Sequence, residues 1–434
     1  MTLRSTTPLT SRRTLLAGGA ALATTAALSS CGVGGSGPAG DADTLTVLVE
    51  AGGHGELQPI ADQFEKDTGT SVSFVELPYD GLYNRLSSEL TGTAVSFDVV
   101  ALDSIWLPAF HTALTPLDSM FTEDVKADLF PSLVTEAAVD GSFVGMPAWT
   151  NSEILYYRKD LFEDPKHQEA FASEYGYELV PPTTWQEYYD AAEYFHSTGG
   201  GSLYGTDVKG AIETEWLATL SQAGEETMVV DEDGNVSLGD DASLAALDFY
   251  TSLLPFAPSG AAQLDWAGAQ NLFNQGQLAL MRFWAHAYRQ VPQDAPVAGK
   301  VGVATMIGGE AGPAGVPGAW YLSVAKASPK QEKALEFVQY AFDHNELSVN
   351  TTLGLAARIS ALEANRDAEG FEHYAPLIET LNAPATQARP AIPEWQQIVD
   401  TVLIPMIQKS VEPGADNAAL LEDAASQIEN LVSE

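Results

Sequence analysis

The chain has 434 residues, 45% of them hydrophobic, which is long for one domain and enough to bury two cores without staples. Twenty Lys and Arg against 59 Asp and Glu leave a formal charge of -39. Such a surface repels phosphate backbones and anionic membranes, which excludes nucleic acid as a partner. The single cysteine, Cys31, rules out an internal disulfide.

Ser11-Arg-Arg-Thr-Leu-Leu16 is a twin-arginine pattern, followed by a small and apolar run over 15–28 and by Leu28-Ser-Ser-Cys31. The run is too short and too rich in Gly, Ala and Thr for a good spanning helix. The segment resembles a bacterial lipoprotein signal, which makes residues 1–30 a signal peptide and Cys31 the site of lipidation. Residues 31–43 read as a flexible linker. Gly32-Val-Gly-Gly-Ser-Gly37 matches a dinucleotide-binding spacing but has neither the strand before it nor the helix after it.

From Thr44 the pattern is strand (44–50), helix with Leu57, Ile60, Ala61 and Phe64 in register, strand (72–77), helix (83–90), and the continuous apolar strand Phe97-Asp-Val-Val-Ala-Leu-Asp103. Alternation of this kind predicts a parallel α/β sheet, whose ligands meet the carboxyl ends of the strands. His54, Tyr79 and Asp103 follow the first, second and third strands. Gly141-Ser-Phe-Val-Gly145, with Pro147 and Trp149 to Asn151, leads into a second run, Ile154 to Tyr157, and reads as strand, crossing, strand between two structural units. Thr184 and Glu187 form a capping box for a helix through Phe195. Residues 215–223 are helical. Asp231-Glu-Asp-Gly-Asn235 looks like a calcium loop but lacks the twelfth-position Glu, so a hairpin between Val230 and Val236 is expected and no metal. Residues 278–284 alternate as a strand ending at Trp284, and 301–305 and 321–325 read as strands returning to the first unit. A helix with Ala334, Val338, Ala341 and Phe342 on one face follows, then a third crossing at 354–358 and two terminal helices.

The residues at these strand ends and crossings share a chemistry. A neutral sugar has flat C–H faces that suit aromatic rings and a rim of hydroxyls that suits carboxylates, carboxamides and Arg. Trp149, Trp284, Trp320, Tyr79, Asp103, Asn151 and Arg358 are of those types.

Phe97-Asp-Val-Val-Ala-Leu-Asp-Ser-Ile-Trp106, Met146-Pro-Ala-Trp-Thr-Asn151, Met281-Arg-Phe-Trp-Ala-His-Ala-Tyr288, Val316-Pro-Gly-Ala-Trp-Tyr-Leu-Ser-Val324 and Gly354-Leu-Ala-Ala-Arg358 resemble segments of the family 1 extracellular solute-binding proteins, the carbohydrate-capturing subunits of ABC importers, and within them the binders of maltose, trehalose and related glucosides. The resemblance implies a periplasmic-binding-protein-like (type II) fold of two α/β lobes joined by a hinge of several crossings. The lobes would be 44–149 with 302–353 and 150–301 with 354–434. It implies that Asp103 and Arg358 bond sugar hydroxyls, that Trp284 and Trp320 stack on the rings, and that Asn151 lies where relatives carry Asp or Asn. Gly318-Ala-Trp320 stands where many relatives have Gly-Gly-Trp. The implied partners are an oligosaccharide such as trehalose or maltose and the transmembrane subunits of an ABC permease. The protein would be a monomer held at the extracellular face of the membrane only through its lipid, with no cofactor, no metal and no covalent step.

Two rival classes share parts of this pattern. A secreted glycosidase would need an acid pair such as Asp103 with Glu153 or Glu215. A polyamine-binding protein of the same fold would use Trp platforms and Asp partners, but an Arg in the site argues against a cation. Ferric binding through Tyr156-Tyr157 or Tyr188-Tyr189 is a thinner option, because one ring of each pair reads as core.

Overall fold

The computed structural model describes residues 44–433 with Thr93, Glu226 and Glu232 excepted. The twin-arginine segment, Cys31 and the linker lie outside the described residues.

The chain begins with β1 (Thr44–Glu50), α1 (His54–Thr68), β2 (Ser71–Leu77), α2 (Tyr79–Leu90) and β3 (Val99–Asp103). α1 buries Leu57, Ile60 and Phe64, as their helical spacing predicts, and stops where Gly69 takes the left-handed conformation at φ 77°. Each such side chain removed from water contributes about 1.5–3 kcal/mol. β3 is buried along its whole length, as befits a strand covered on both faces. β4 (Met146–Trp149) ends the first segment of the first lobe, and β5 (Glu153–Arg158) opens the second lobe. Then come α3 (Trp185–Thr198), α4 (Thr214–Ala223), α5 (Trp266–Asn274), β6 (Leu280–Trp284), β7 (Val301–Ala304), β8 (Trp320–Val324), α6 (Gln331–Asp343) and α7 (Asn417–Val432). The capping box at α3 forms as expected, with both the Thr184 and Glu187 bonds present.

Two sheets organise these elements. The first has the order β2-β1-β3-β8-β4, with β1 parallel to β2 and β3, and β8 antiparallel to β3 and β4. The second has the order β6-β5-β7, all antiparallel. The strand at Val301–Ala304 therefore corrects the lobe boundary at 302: it pairs with β5, Val301 opposite Arg158, and belongs to the second lobe. The return crossing runs instead through 305–319, because apolar alternation specifies a strand but not which sheet accepts it.

The three crossings are tied to one another. The Thr150 N–H donates to the Ala356 carbonyl at 3.2 Å, the Gly318 N–H to the Asn151 carbonyl at 2.9 Å, and Ser152 bridges Pro317. Asn345 fastens this bundle to the first lobe, donating to the Ala148 carbonyl at 2.6 Å and accepting from the Ala357 N–H at 2.7 Å.

The second lobe buries a charge cluster. Lys209 Nζ lies 2.7 Å from Asp207 and 2.9 Å from Glu215, and Arg282 sits over the rings of Tyr188 and Tyr250. Pairing of this kind is what makes such burial tolerable. The Asp231 carboxylate accepts from the Asn235 and Asp233 amides and the Asn235 side chain, and Val230 bridges Val236, so the acidic loop is a hairpin filled by its own chain. Among the described residues no group of His, Cys, Asp and Glu could hold a metal ion, and no helix is long and apolar enough to cross a membrane.

Candidate functional site

β1, β3 and β4 run the same way, and β8 runs against β3 and β4. Their sense and register bring Glu50, Asp103, Trp149 and Trp320 to one end of the strands of the first sheet, Trp320 standing opposite both Asp103 and Trp149. The indoles of Trp149 and Trp320 are stacked, with centroids 5.8 Å apart and planes within 18°. Trp106 meets Trp320 edge-on at 5.8 Å, and Tyr79 packs on Trp106 at 4.5 Å. An aromatic wall thus surrounds a carboxylate.

That carboxylate, Asp103, is 7% exposed. It accepts from Arg389 Nη2 at 2.7 Å and from the Tyr79 hydroxyl at 2.9 Å. It also caps the short turn Ser104–Trp106 through the Ile105 N–H at 3.4 Å. Arg389 reaches Ser104 Oγ at 3.1 Å as well. Burial alone would lower the Arg389 pKa, yet Asp103, Tyr79, Glu136 and Glu213 together lift it above the ordinary arginine value. The guanidinium is a fixed cation in a cluster of acids.

Three buried glutamates around this cluster have their carboxyls raised. Burial pushes the Glu50 carboxyl up to about 7, with Asp103 adding to the effect. Burial likewise raises Glu213 to about 7, opposed by Arg389 and reinforced by Glu215 and Asp103. Glu136, also raised to about 7 by burial, accepts from the Tyr321 hydroxyl at 2.7 Å. Glu213 immediately precedes α4 of the second lobe.

The second lobe adds Trp284 at the end of β6. A Cβ at Gly318 would lie 2.6 Å from its ring, so only glycine lets the crossing approach this closely. Asn151 Nδ2 pairs with His286 Nδ1 at 2.7 Å, which holds the carboxamide beside the crossing. Its Oδ1 is buried with no protein partner. Burial lowers His286 to about 4, so the ring is neutral and accepts from the carboxamide.

The structure therefore brings together Tyr79, Asp103 and Trp320 at the strand ends of the first sheet, and Asn151, Gly318 and Trp284 at the crossing. It sets two expected residues apart. Arg358 directs its guanidinium to Asp128 at 2.7 Å and to the Asp343 carbonyl at 3.1 Å, over the Phe342 ring. Arg358 is thus held on Asp128, and the arginine that pairs with Asp103 is Arg389, 286 positions along the chain. His54 lies at the rim, its side chain 44% exposed and 2.6 Å from Glu76. Arg389 could have been noticed as a lone cation in the apolar, proline-bounded Arg389-Pro-Ala-Ile-Pro393, and Glu50 by the strand-end rule that finds Asp103. Glu213 carries no local signal.

Stacked indoles beside a fixed cation, a carboxylate and carboxyls able to donate or accept form a surface for a neutral, many-hydroxyl solute. A family model described as bacterial extracellular solute-binding protein matches residues 51–345. This chain belongs to that family. Among relatives of this solute-binding protein, a probable ABC transporter-binding protein of Deinococcus radiodurans is 29% identical over 315 residues, 68% of this chain and 71% of the relative. The maltose-bound MalE3 of T. maritima superposes with a TM-score of 0.74 at 22% identity, covering 89% of this chain and 99% of that one. A solute-binding protein of Agrobacterium radiobacter K84 in complex with ribitol gives 0.72 at 24% identity, over 90% and 99%. These likenesses establish the type II periplasmic-binding-protein-like fold.

The family binds solutes and is not enzymatic, which sets aside the glycosidase alternative. The solute-binding protein's own geometry agrees: Glu215 is paired with Lys209, and Glu153 accepts from the Val316 N–H at 3.1 Å. The tyrosine pairs are likewise committed, with Tyr156 and Tyr188 in the core.

Proposed function

We propose that this protein captures a short oligosaccharide such as trehalose or maltose between its lobes and delivers it to the transmembrane subunits of an ABC importer. The observation that carries the reading is the Asp103–Arg389 pair set against the stacked Trp149 and Trp320. The pair offers acceptor and donors to hydroxyls, and the indoles offer faces to rings. The bonded crossings at 150–152, 317–318 and 356 supply a hinge, and closure about it buries the solute. Maltose and ribitol in the similar solved structures support a polyhydroxylated solute. Lipidation at Cys31 would hold the monomer at the extracellular face of the membrane.

The excess of acids over the one arginine favours a polyamine as the second reading. Against it, Glu50 and Glu213 are raised toward neutrality by burial, and a fixed Arg389 repels a cation. Calorimetric titration of the protein with trehalose, maltose and spermidine decides between them. Saturable binding of either sugar supports the proposal, and a response to spermidine alone refutes it.

A further inference from the structure

Between the helices Tyr374–Leu381 and Trp395–Ile398 the chain runs through residues 382–394, which include Pro384, Pro390 and Pro393. Their fixed φ angles stiffen this strap. Its flanks belong to the second lobe. The helix Tyr374–Leu381 packs on β5, and the helix Ile404–Ser410 packs on α7, which packs in turn on the helix Asp241–Ser252. Gln387 adds a bond to the Glu225 carbonyl at 2.6 Å, just beyond α4.

Two side chains reach the first lobe instead. Arg389 pairs with Asp103 and Ser104 in the cleft. Gln396 accepts from the Trp106 indole N–H at 3.0 Å, across 290 positions of sequence, where the helix Trp395–Ile398 packs on the turn Ser104–Trp106. Both ends of this bond are fixed. Gln396 Nε2 donates to Asp400 at 3.0 Å, one helical turn on, which directs the carboxamide oxygen at the indole. Trp106 is 1% exposed, packed between Tyr79 and Tyr83, and its N–H can only donate.

We propose that Gln396 is a positioning residue for solute capture: its bond to Trp106 joins the two lobes in their closed arrangement and holds the Trp106 ring against Trp320. The proposal rests on capture by closure about the crossings. Parting the lobes would release the indole N–H to water, so the bond favours only the closed form. One net hydrogen bond shifts the closed-to-open ratio by roughly three- to tenfold, and apparent affinity scales with the competent fraction. Gln396 therefore acts through Trp106 and through closure, without touching the solute.

The test compares full-chain wild type with Gln396→Leu, Trp106→Phe and the double variant. Each is measured by small-angle scattering of the free protein, by equilibrium and stopped-flow binding of maltose and trehalose, and by thermal unfolding. Gln396→Leu should enlarge the radius of gyration, weaken sugar binding roughly three- to tenfold through faster dissociation, or do both. The double variant should lose no more than the worse single variant, because both remove the same bond. A lowered unfolding temperature with unchanged radius and dissociation rate would mean a purely structural role and overturns the proposal, as do additive losses in the double variant. Binding of neither sugar by wild type sinks the sugar reading, while the radius of free Gln396→Leu still decides whether this residue joins the lobes.

Discussion

Replacing Asp103 by asparagine keeps the shape of the side chain and removes its charge, so it tests the centre of the cleft. Asp103 accepts from Arg389 on Oδ1 at 2.7 Å, where the Ile105 N–H also reaches it at 3.4 Å, and from Tyr79 on Oδ2 at 2.9 Å. Asparagine keeps one acceptor oxygen, and losing one charge-assisted bond costs about 1.5–3 kcal/mol. An abandoned buried arginine would cost more, about 3–5 kcal/mol. That larger cost is avoided here, because Glu136 and Glu213 face Arg389 with carboxyls at about 7 and ionise more readily once Asp103 no longer repels their charge. The expected loss of stability is therefore about 1–3 kcal/mol, with the fold kept. A sugar hydroxyl bonded to Asp103 loses a charged acceptor, and affinity should fall roughly ten- to hundredfold. Calorimetry with the best-binding sugar, alongside thermal unfolding, reads both quantities. Wild-type affinity in a destabilised Asp103→Asn variant would show that the Asp103–Arg389 pair is a structural clamp, and the reasoning would be wrong.

Arg389→Met should abolish measurable binding, whereas Arg358→Met should leave affinity within about twofold and cost about 1 kcal/mol of stability, the scale of a partly exposed ion pair; titration of the two variants side by side checks this, and the reverse pattern would restore Arg358 to the site. Gly318→Ala places a methyl 2.6 Å from the Trp284 ring, so it should displace the platform, weaken sugar binding about tenfold and cost about 1–3 kcal/mol. Unchanged affinity there would mean that Trp284 does not touch the solute. Glu136, Glu153 and Glu213 have folded carboxyls raised to about 7 from an ordinary 4.5, with burial the first cause in each. Stability from such groups is full below the unfolded value and is lost as pH rises through the folded one, so thermal unfolding should come at a lower temperature at about pH 8 than at about pH 5. A midpoint that rises over that range would refute the assignment, and Glu153→Gln should flatten the profile.

The sequence alone determined what is encoded within a few neighbouring residues. Helical spacing placed Leu57, Ile60 and Phe64 inward, Thr184 and Glu187 fixed the start of α3, and the parallel βαβ pattern directed attention to strand ends, where Asp103, Tyr79 and Trp320 stand. Tertiary structure decided everything that depended on which distant segments meet. The strand at Val301–Ala304 has the same alternation whichever sheet takes it, and only its pairing with β5 moves it to the second lobe. Arg358 and Arg389 are alike as residue types, but Asp128, the Asp343 carbonyl and Phe342 engage the first, and Asp103 the second. Local patterning specifies an element and its buried face, whereas a buried ion pair forms between whichever charges the folded backbone brings within hydrogen-bonding distance.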